Sequence, residues 1–562
     1  MSPSINFSTI QQAIDAADPG ATLDIPADTY NERITIDKPL TLQGPHVGQA
    51  IIDGSGLSDE PLVIILASDV TIKRLTIQNS PIHGIRVGSG DFTNISGVLI
   101  ENNTIRLNSN AGIITNHFAS MKIRNNQINN NGTVTGFNRT GIMLNPHGKC
   151  SIVKNQINNN FMEGIYSQGS DEGLRIENNT IKENRLVGIN LAWNQRNTQI
   201  VNNYIYQNGI GGSEQGGIVI IQALAENISG NKLIENNTTG ILWGWVPTEG
   251  PIPKEILVLN NIVKNNQEDG IFLFTQGAGG FTPPDLFPLE PTLLSNIISD
   301  NNRAGVYNSN DFFDSPGNSN PTVNSNDIEG NNEWGVFNGT ELALVDATEN
   351  WWGDGTGPLH PEENPGGMGD RVSDRVNFIP WLTSPSAPPE VQECIVEQII
   401  LQDYKIRPHK DEKTLVVLSI NISGKILLSY PQQEVWISFN QTLKRKVLFD
   451  TPYSEHYKGA IVSQGRCSAK ALSKGELEVS VCTLIIVTLF AKVQLLIPSY
   501  GYSSIPSECM KVPDKRPFNS RVTQAKELKG SKLNYKDAVN VKKVYGTCTV
   551  KGKLNFPVYI SF

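Results

Sequence analysis

Two short patterns recur in phase along the first 350 residues of the chain. One is a glycine followed by Ile or Val, and the other is an asparagine followed two residues later by an apolar residue. The glycines are Gly84, Gly112, Gly141, Gly164, Gly188, Gly217, Gly240, Gly270, Gly305 and Gly335. The asparagines are Asn103, Asn126, Asn155, Asn179, Asn203, Asn231, Asn261, Asn296, Asn326 and Asn350. The shortest repeat is 23–24 residues, and spacings of 28–35 are typical of the same unit carrying a loop insertion.

This period predicts a solenoid of short strands over residues 1–382. Each repeat forms one coil, whose Ile or Val points inward and packs on its counterpart in the next coil, because a single coil cannot bury that face alone. Asparagine is the non-glycine residue that best tolerates left-handed turns. Stacked copies of it can also hydrogen-bond from coil to coil. We therefore interpret the recurring asparagines as a structural ladder.

The ends of the solenoid carry signals of their own. Ser8 and Gln11 have the spacing of a capping box, and the apolar positions up to Ala17 predict a short helix that ends at Pro19-Gly20. Such a helix would cover strand edges that are otherwise unpaired. Strands are predicted at 22–25, 33–36 and 40–43, and aromatic residues at 350–358 and 376–382 are expected to close the far end.

These end segments resemble a known group of proteins. Residues 7–15 (FSTIQQAID), 29–32 (TYNE) and 40–44 (LTLQG) are similar to the opening of NosD-like and pectin-lyase-like β-helix proteins. The ending, NWWG from residue 350 and PWL at 380–382, is similar to the closing coil of the NosD-like group. The resemblance implies a right-handed parallel β-helix. It implies no single chemistry, because this superfamily includes lyases, hydrolases, epimerases, tail spikes, adhesins and accessory proteins.

Catalytic groups on such a scaffold should recur in phase. Equivalent positions of adjacent coils lie roughly 4.8 Å apart, so a hydrolase pair or a calcium site would appear as acids on neighbouring coils. Neither the position two before each ladder asparagine nor the position before each repeat glycine contains adjacent acids. His83, His117 and His147 fall in separate coils. We therefore predict no catalytic residue, no metal site and no cofactor, although acids in the long insertions remain an alternative.

The residue after each Gly-Ile or Gly-Val step should point outward by strand alternation. These positions, here named the outer row, are Arg86, Ile114, Met143, Tyr166, Asn190, Val219, Leu242, Phe272, Tyr307 and Phe337. Most are apolar, which leaves two hypotheses. Insertions at 245–254, 276–291 and 311–321 could cover the row, or the row could dock a glycan or another subunit. The candidate docking residues are Tyr166, Trp193, Trp243, Trp245, Phe272, Tyr307 and Phe337.

A second module is expected after a Pro-rich linker at 383–390. Alternating apolar runs at 414–422, 425–430, 434–439, 477–490 and 493–497 predict an antiparallel, sandwich-like β-domain over 391–510, followed by a basic tail at 511–562 with terminal strands. Residues 394–399 (CIVEQI) and 502–509 (YSSIPSEC) resemble β-domains of clostridial spore-envelope proteins.

Charge and cysteine content sharpen the difference between the two parts. Residues 391–562 carry 25 Lys and Arg against 14 Asp and Glu, which leaves 21 against 41 for residues 1–390. Opposite charges predict modules that attract one another.

Five of the six cysteines lie in the second part, and Cys394, Cys509 and Cys548 are candidates for a disulfide between chains. The basic part lacks the aromatic interleaving typical of nucleic-acid binding. No apolar run approaches the roughly 20 residues of a membrane span.

The leading hypothesis is a non-enzymatic structural or surface-assembly subunit, in a filament, lattice or spore layer. Its predicted partners are other copies of itself or envelope proteins. The alternative is a β-helix protein that binds or cleaves polysaccharide with an aromatic outer face. A third hypothesis is a role in metal delivery, but the Met, His and Cys residues are scattered along the chain and disfavour it. The N-terminal residues have no basic or apolar signal region. We therefore expect cytosolic synthesis, and an extracellular or spore-surface location reached without a signal peptide.

Overall fold

The computed structural model describes residues 8–562 apart from several loops and most of the C-terminal tail. The gaps are 47, 90–94, 117–119, 133–137, 146–147, 170–172, 193–196, 212–215, 224, 246–255, 276–288, 310–318, 342, 387–389, 410–412, 430–433, 450–457, 474–475, 491–539, 545–552 and 556–562. The chain forms two compact units, the first made mainly of residues 1–388 and the second mainly of residues 389–562.

The first unit is the predicted β-helix, and its strands form three parallel sheets. Strands of the first sheet are Ala21–Asp24, Leu40–Gln43, Thr71–Lys73, Val98–Glu101, Ser120–Arg124, Lys149–Val153, Leu174–Glu177, Thr198–Val201, Ala225–Ser229, Ile256–Leu259, Pro291–Leu294, Thr322–Asn324, Val345–Asp346 and Val376–Asn377. Strands of the second sheet are Asp28–Tyr30, Ala50–Asp53, Leu75–Gln78, Thr104–Arg106, Gln127–Asn129, Gln156–Asn158, Thr180–Lys182, Tyr204–Tyr206, Lys232–Ile234, Ile262–Lys264, Ile297–Ser299 and Asp327–Glu329. Strands of the third sheet are Ile34–Ile36, Val63–Ile65, Ile85–Val87, Ile113–Thr115, Ile142–Leu144, Ile165–Gln168, Ile189–Ala192, Ile218–Ile221, Ile241–Trp245, Ile271–Thr275, Ala304–Asn308 and Trp334–Asn338.

The repeat glycines are explained by close contact between coils. A Cβ atom on Gly141 would lie 2.6 Å from the carbonyl oxygen of Gly164 and 2.8 Å from Nδ2 of Asn160. The isoleucine after it, Ile142, pairs with Ile165 of the next coil, and both are fully buried. Glycine therefore lets the coils approach while the following residue fills the core.

All ten predicted ladder asparagines form one continuous chain of hydrogen bonds. In each step the backbone N–H and Nδ2 of one asparagine donate to Oδ1 of the next, from Asn103 to Asn350. The expected turn geometry was wrong in one respect. The left-handed residue is the one before the ladder asparagine, as at Asn202 with φ 53° and Asn260 with φ 53°.

A second ladder runs parallel to the first. It consists of Asn108, Asn131, Asn160, Asn184, Asn208, Asn236, Asn266, Asn301 and Asn331. Asp370 terminates it by accepting from the backbone N–H of Gly330 and Asn331 and from Nδ2 of Asn331. Burial of Asp370 raises the pKa of its carboxyl group. Each member follows a member of the first ladder by five residues, so the signal is readable in the sequence.

The N-terminal helix covers the first coil, but its cap differs from the predicted one. The helix spans Ile10–Ala16, and Thr9 rather than Ser8 is its N-cap, accepting a hydrogen bond from the backbone N–H of Gln12. Gln11 instead pairs with the backbone of Thr35 in the third sheet, donating from Nε2 and accepting on Oε1. The helix is thus held to the strand edge by a side chain that imitates a neighbouring strand.

The second unit consists of antiparallel sheets, as predicted. One sheet contains Glu390–His409, Lys413–Ser429 and Glu434–Phe449 in that order. The other contains Lys458–Ser473, Glu476–Phe490, Asn540–Val544 and Lys553–Asn555. The runs predicted as two strands at 414–422 and 425–430 belong to a single strand, because Gly424 stays paired with Phe439 and alternation continues to the buried Ile426. The run at 493–497 lies outside the described residues.

Candidate functional site

The outer row lies on the outside of the third sheet in the predicted register. Tyr166 pairs with Asn190, Leu242 with Phe272, and Tyr307 with Phe337. Its central members are nevertheless covered. Val219 is 0% exposed, Leu242 5% and Phe272 7%. The middle of the row is therefore packed and does not present an open docking face.

The aromatic end of the row also has packing partners. The Tyr307 ring stacks on Phe337 at 4.7 Å and has the Arg303 guanidinium 4.2 Å from its centroid. Arg303 also forms an ion pair with the fully buried Asp269. Burial of Asp269 raises the pKa of its carboxyl group, although Arg303 opposes the shift. These rings are half-buried structural contacts.

None of the three tryptophans proposed for that face is described as an exposed ring. Trp243 is not on the outer surface: it is fully buried in the main core and pairs with Leu273. Strand alternation accounts for this, since Ile241 and Trp243 point inward while Leu242 and Gly244 point outward. Trp193 lies outside the described residues, as do most of the insertions at 245–254, 276–291 and 311–321. The backbone of Trp245 belongs to the strand Ile241–Trp245, but its side chain is not described.

The cysteines proposed for a bond between chains stay a prediction. Cys394 is disulfide-bonded, and the residue that it pairs with lies outside the described side chains. Cys509 and Cys548 lie outside the described residues. Cys150 is a buried free thiol whose pKa burial raises to about 12.

Buried acids near the third sheet are too far apart to cooperate. Glu163 and Asp269 both precede a repeat glycine, and burial raises the pKa of each carboxyl group. They lie four coils apart, which corresponds to about 19 Å along the stack. Asn190 donates to Glu163 from Nδ2 at 3.4 Å. The separation of about 19 Å between the Glu163 and Asp269 coils exceeds the distance between the two carboxylates of a glycosidase.

An aromatic site that the sequence analysis missed lies on the second sheet. Tyr204 and Tyr206 both point outward from one strand, and their rings stack with centroids 4.4 Å apart. Tyr204 is 40% exposed, which is unusual for so large a side chain in this solenoid. The signal was available: residues 203–208 read NYIYQN where the coil at 155–160 reads NQINNN. Tyrosines replace polar residues at two outward positions.

A half-open hollow of about 290 Å³ adjoins this pair. We name it the tyrosine hollow, and its lining residues are Asn202, Asn203, Tyr204, Gly230, Lys232 and Ile234. Tyr206 covers one face of the Tyr204 ring, and Tyr204 itself lines the hollow. Burial and the nearby Glu235 raise the pKa of the Tyr204 hydroxyl, so it stays a neutral hydrogen-bonding group.

Three lysines lie on the sheet that carries the tyrosine hollow. Four adjacent strands, from Thr180–Lys182 to Ile262–Lys264, place Lys182, Lys232 and Lys264 outward and no acid at their outward positions. Lys182 lies 5.5 Å from the Tyr206 ring, and a hydrogen bond with Tyr206 raises its pKa together with the nearby Glu183. Glu183 and Glu235, the turn residues that follow two of these strands, partly balance this charge.

Comparison with known proteins supports the fold. A family model described as "right handed beta helix region" matches residues 58–205 and 140–283. A search of curated proteins finds no match. Among solved structures, the chain is 17% identical to the catalytic unit of an α-1,3-glucanase from Streptomyces thermodiastaticus, with a TM-score of 0.44 and coverage of 67% of this chain and 66% of that one. It is 20% identical to the A-module of the Azotobacter vinelandii mannuronan C-5 epimerase AlgE6, with a TM-score of 0.39 and coverage of 66% and 94%.

A pectate lyase, Pel9A, is 17% identical, with a TM-score of 0.33 and coverage of 67% of this chain and 84% of that one. Among the residues that the structure describes, no helix is long and apolar enough to cross a membrane. The family match falls wholly within the three-sheet solenoid, whose Gly-Ile steps and asparagine ladders run from coil to coil. The chain therefore contains a right-handed parallel β-helix.

Proposed function

We propose that this protein binds polysaccharide, and that the tyrosine hollow on the second sheet is the place where it does so. The observation that carries the proposal is the exposed ring of Tyr204, stacked on Tyr206 and bordering a hollow with polar walls. Aromatic side chains with an apolar face and a polar edge suit sugar rings, which have the same mixed character.

The rigid scaffold supports this proposal. The strand Tyr204–Tyr206 pairs on one side with Thr180–Lys182 and on the other with Lys232–Ile234. Directly before it, Asn203 is fixed by the first ladder. A site on ladder-bound strands loses little conformational entropy when a ligand binds.

Nucleic acid is the competing ligand for tyrosines beside lysines. The solenoid part of the chain opposes it, because residues 1–390 carry 41 acids against 21 basic residues. Long-range repulsion would weaken binding to a phosphate polymer. A polysaccharide needs no such phosphate attraction.

Retention of the full chain on a panel of immobilised neutral and acidic polysaccharides tests the proposal. We expect Tyr204→Ala to weaken retention about tenfold, the loss of one good aromatic contact. Tyr166→Ala is the matched control, because Tyr166 is a half-buried tyrosine of the third sheet and its loss should leave retention unchanged. Retention on no polysaccharide, or equal losses in the two variants, would refute the proposal.

A further inference from the structure

One of the residues that line the tyrosine hollow is a glycine. Gly230 belongs to a column of left-handed turn residues in which its neighbours are asparagines, Asn202 and Asn260. Its φ of 63° is close to their 53°. The column thus keeps the same backbone course while one member lacks a side chain, and the hollow lies at that member.

A buried amide without a partner lines the same hollow. Asn202 is 8% exposed, and within the described residues neither its Oδ1 nor its Nδ2 forms a hydrogen bond. Its backbone N–H is already used, donating to the carbonyl oxygen of Ser229 at 2.9 Å. Unsatisfied buried amides are rare in proteins. Both polar atoms of this one are closed off from solvent, so Asn202 forms part of the wall of the hollow and makes no contact with a ligand.

A lysine, Lys232, lies on the strand that pairs with the tyrosine strand. Lys232 pairs in register with Tyr204 and lines the hollow. Among the residues that the structure describes, Lys232 forms no ion pair, whereas Lys182 is paired with Glu183 at 3.2 Å. The nearest acid of its own coil, Glu235, accepts a hydrogen bond from Nε2 of Gln207. Lys232 is therefore the ammonium group free to meet a ligand anion.

We infer that the tyrosine hollow selects sugar residues that carry a carboxylate, with Lys232 as the residue that determines this specificity. The sugar ring lies on the exposed ring of Tyr204, and its carboxylate meets the Lys232 ammonium. Gly230 provides the room. This inference rests on the proposed polysaccharide binding and adds the chemical class of the sugar.

Isothermal titration calorimetry on the full chain with matched hexasaccharides tests the inference. Each pair shares its linkages and differs only at C6, which is a carboxylate in one member and a hydroxyl in the other: galacturonan against galactan, and glucuronan against glucan. For the pair that binds, we expect the carboxylated member to bind about tenfold more tightly, as a charge-assisted hydrogen bond allows. That preference should shrink as salt is raised.

Three variants separate the contributions. Lys232→Gln should abolish the preference and leave the affinity for the uncharged member unchanged. Gly230→Asn should weaken both members, because it fills the hollow with the residue type that its column already accepts. Lys154→Gln is the control: Lys154 is an exposed left-handed residue of the same column, three coils away, and its loss should keep the preference.

The outcomes distinguish this inference from the proposed function. Equal binding of the two members, an undiminished preference in Lys232→Gln, or no hexasaccharide binding while Tyr204-dependent retention on other polysaccharides persists would overturn the carboxylate specificity alone. Loss of all Tyr204-dependent retention would overturn the polysaccharide site itself, and with it the specificity.

Discussion

A single ladder asparagine connects three coils of the solenoid. Asn231 accepts on Oδ1 from the backbone N–H and Nδ2 of Asn203, and it donates from Nδ2 to the carbonyl oxygen of Ile200 and to Asn261. The chain of buried amides is complete only if every member is present, because each removed acceptor leaves two donors of its neighbour unsatisfied.

We therefore expect Asn231→Ala to lower the free energy of unfolding by roughly 3 kcal/mol, the cost of leaving buried donors without acceptors. Chemical denaturation of the full chain measures this effect. Asn237→Ala, at an exposed turn in the same coil, should change stability by less than about 0.5 kcal/mol. A similar small effect for both variants would show that the ladder does not stabilise the fold.

His83 predicts a dependence of stability on acid. Burial, with a contribution from Arg86, lowers its pKa from 6.5 to about 4, and Nδ1 accepts a hydrogen bond from the backbone N–H of Ala111. The folded state binds this proton less readily than the unfolded state. The contribution of neutral His83 to the free energy of unfolding is therefore fully present above pH 6.5. It is lost as the pH falls from 6.5 toward 4.

The loss attributable to His83 is at most about 3 kcal/mol. Denaturation midpoints at pH 7.5 and 4.5 should differ less in His83→Asn than in the unmodified chain, since an asparagine oxygen can still accept from Ala111 without titrating. If the variant shows the full acid sensitivity, other groups cause it and the assignment to His83 is wrong.

At the scale of elements, the strand registers were predictable and the covering of their outer faces was not. The repeat identified which residue of each coil points inward, because glycine and the next aliphatic residue recur together. The same alternation places Trp243 inward, two residues after Ile241, so its interpretation as an outer residue was avoidable. The repeat did not separate a half-buried ring such as Tyr307 from an exposed one such as Tyr204, because that difference depends on side chains contributed by other coils and loops.

The two aromatic groups should respond to substitution in opposite ways. Phe272→Ala removes a 7%-exposed ring that packs on Tyr307 and Phe274. It should cost roughly 3 kcal/mol of stability and leave polysaccharide affinity unchanged. Tyr204→Ala should lower affinity with little loss of stability. Melting temperature and retention, measured on both variants, test this, and a selective binding defect in Phe272→Ala would restore the third sheet as the docking face.

Close approach between coils gives a prediction for the glycine of the repeat. An alanine at Gly141 would press against backbone oxygen and the second ladder, groups that cannot move independently of the stack. We expect Gly141→Ala to destabilise by about 2 kcal/mol. Gly366→Ala, where a Cβ would meet nothing within 4 Å, is the matched control in unfolding experiments. Equal stability of the two variants would contradict the close-contact explanation.

At the scale of the whole molecule, the separation into an acidic solenoid and a basic β-domain remains the basis of the predicted self-association. Sedimentation at low and high ionic strength tests whether opposite charges drive self-association, because salt weakens the attraction between them. A strictly monomeric chain at both ionic strengths would contradict the prediction.

The most direct test of the central claim is a crystal structure of the full chain with the tightest-binding oligosaccharide. We predict a sugar ring stacked on Tyr204, with its substituent in the hollow at Gly230 and within hydrogen-bond distance of Lys232. A sugar bound on the third sheet or elsewhere, with the face of Tyr204 left open, would contradict the account.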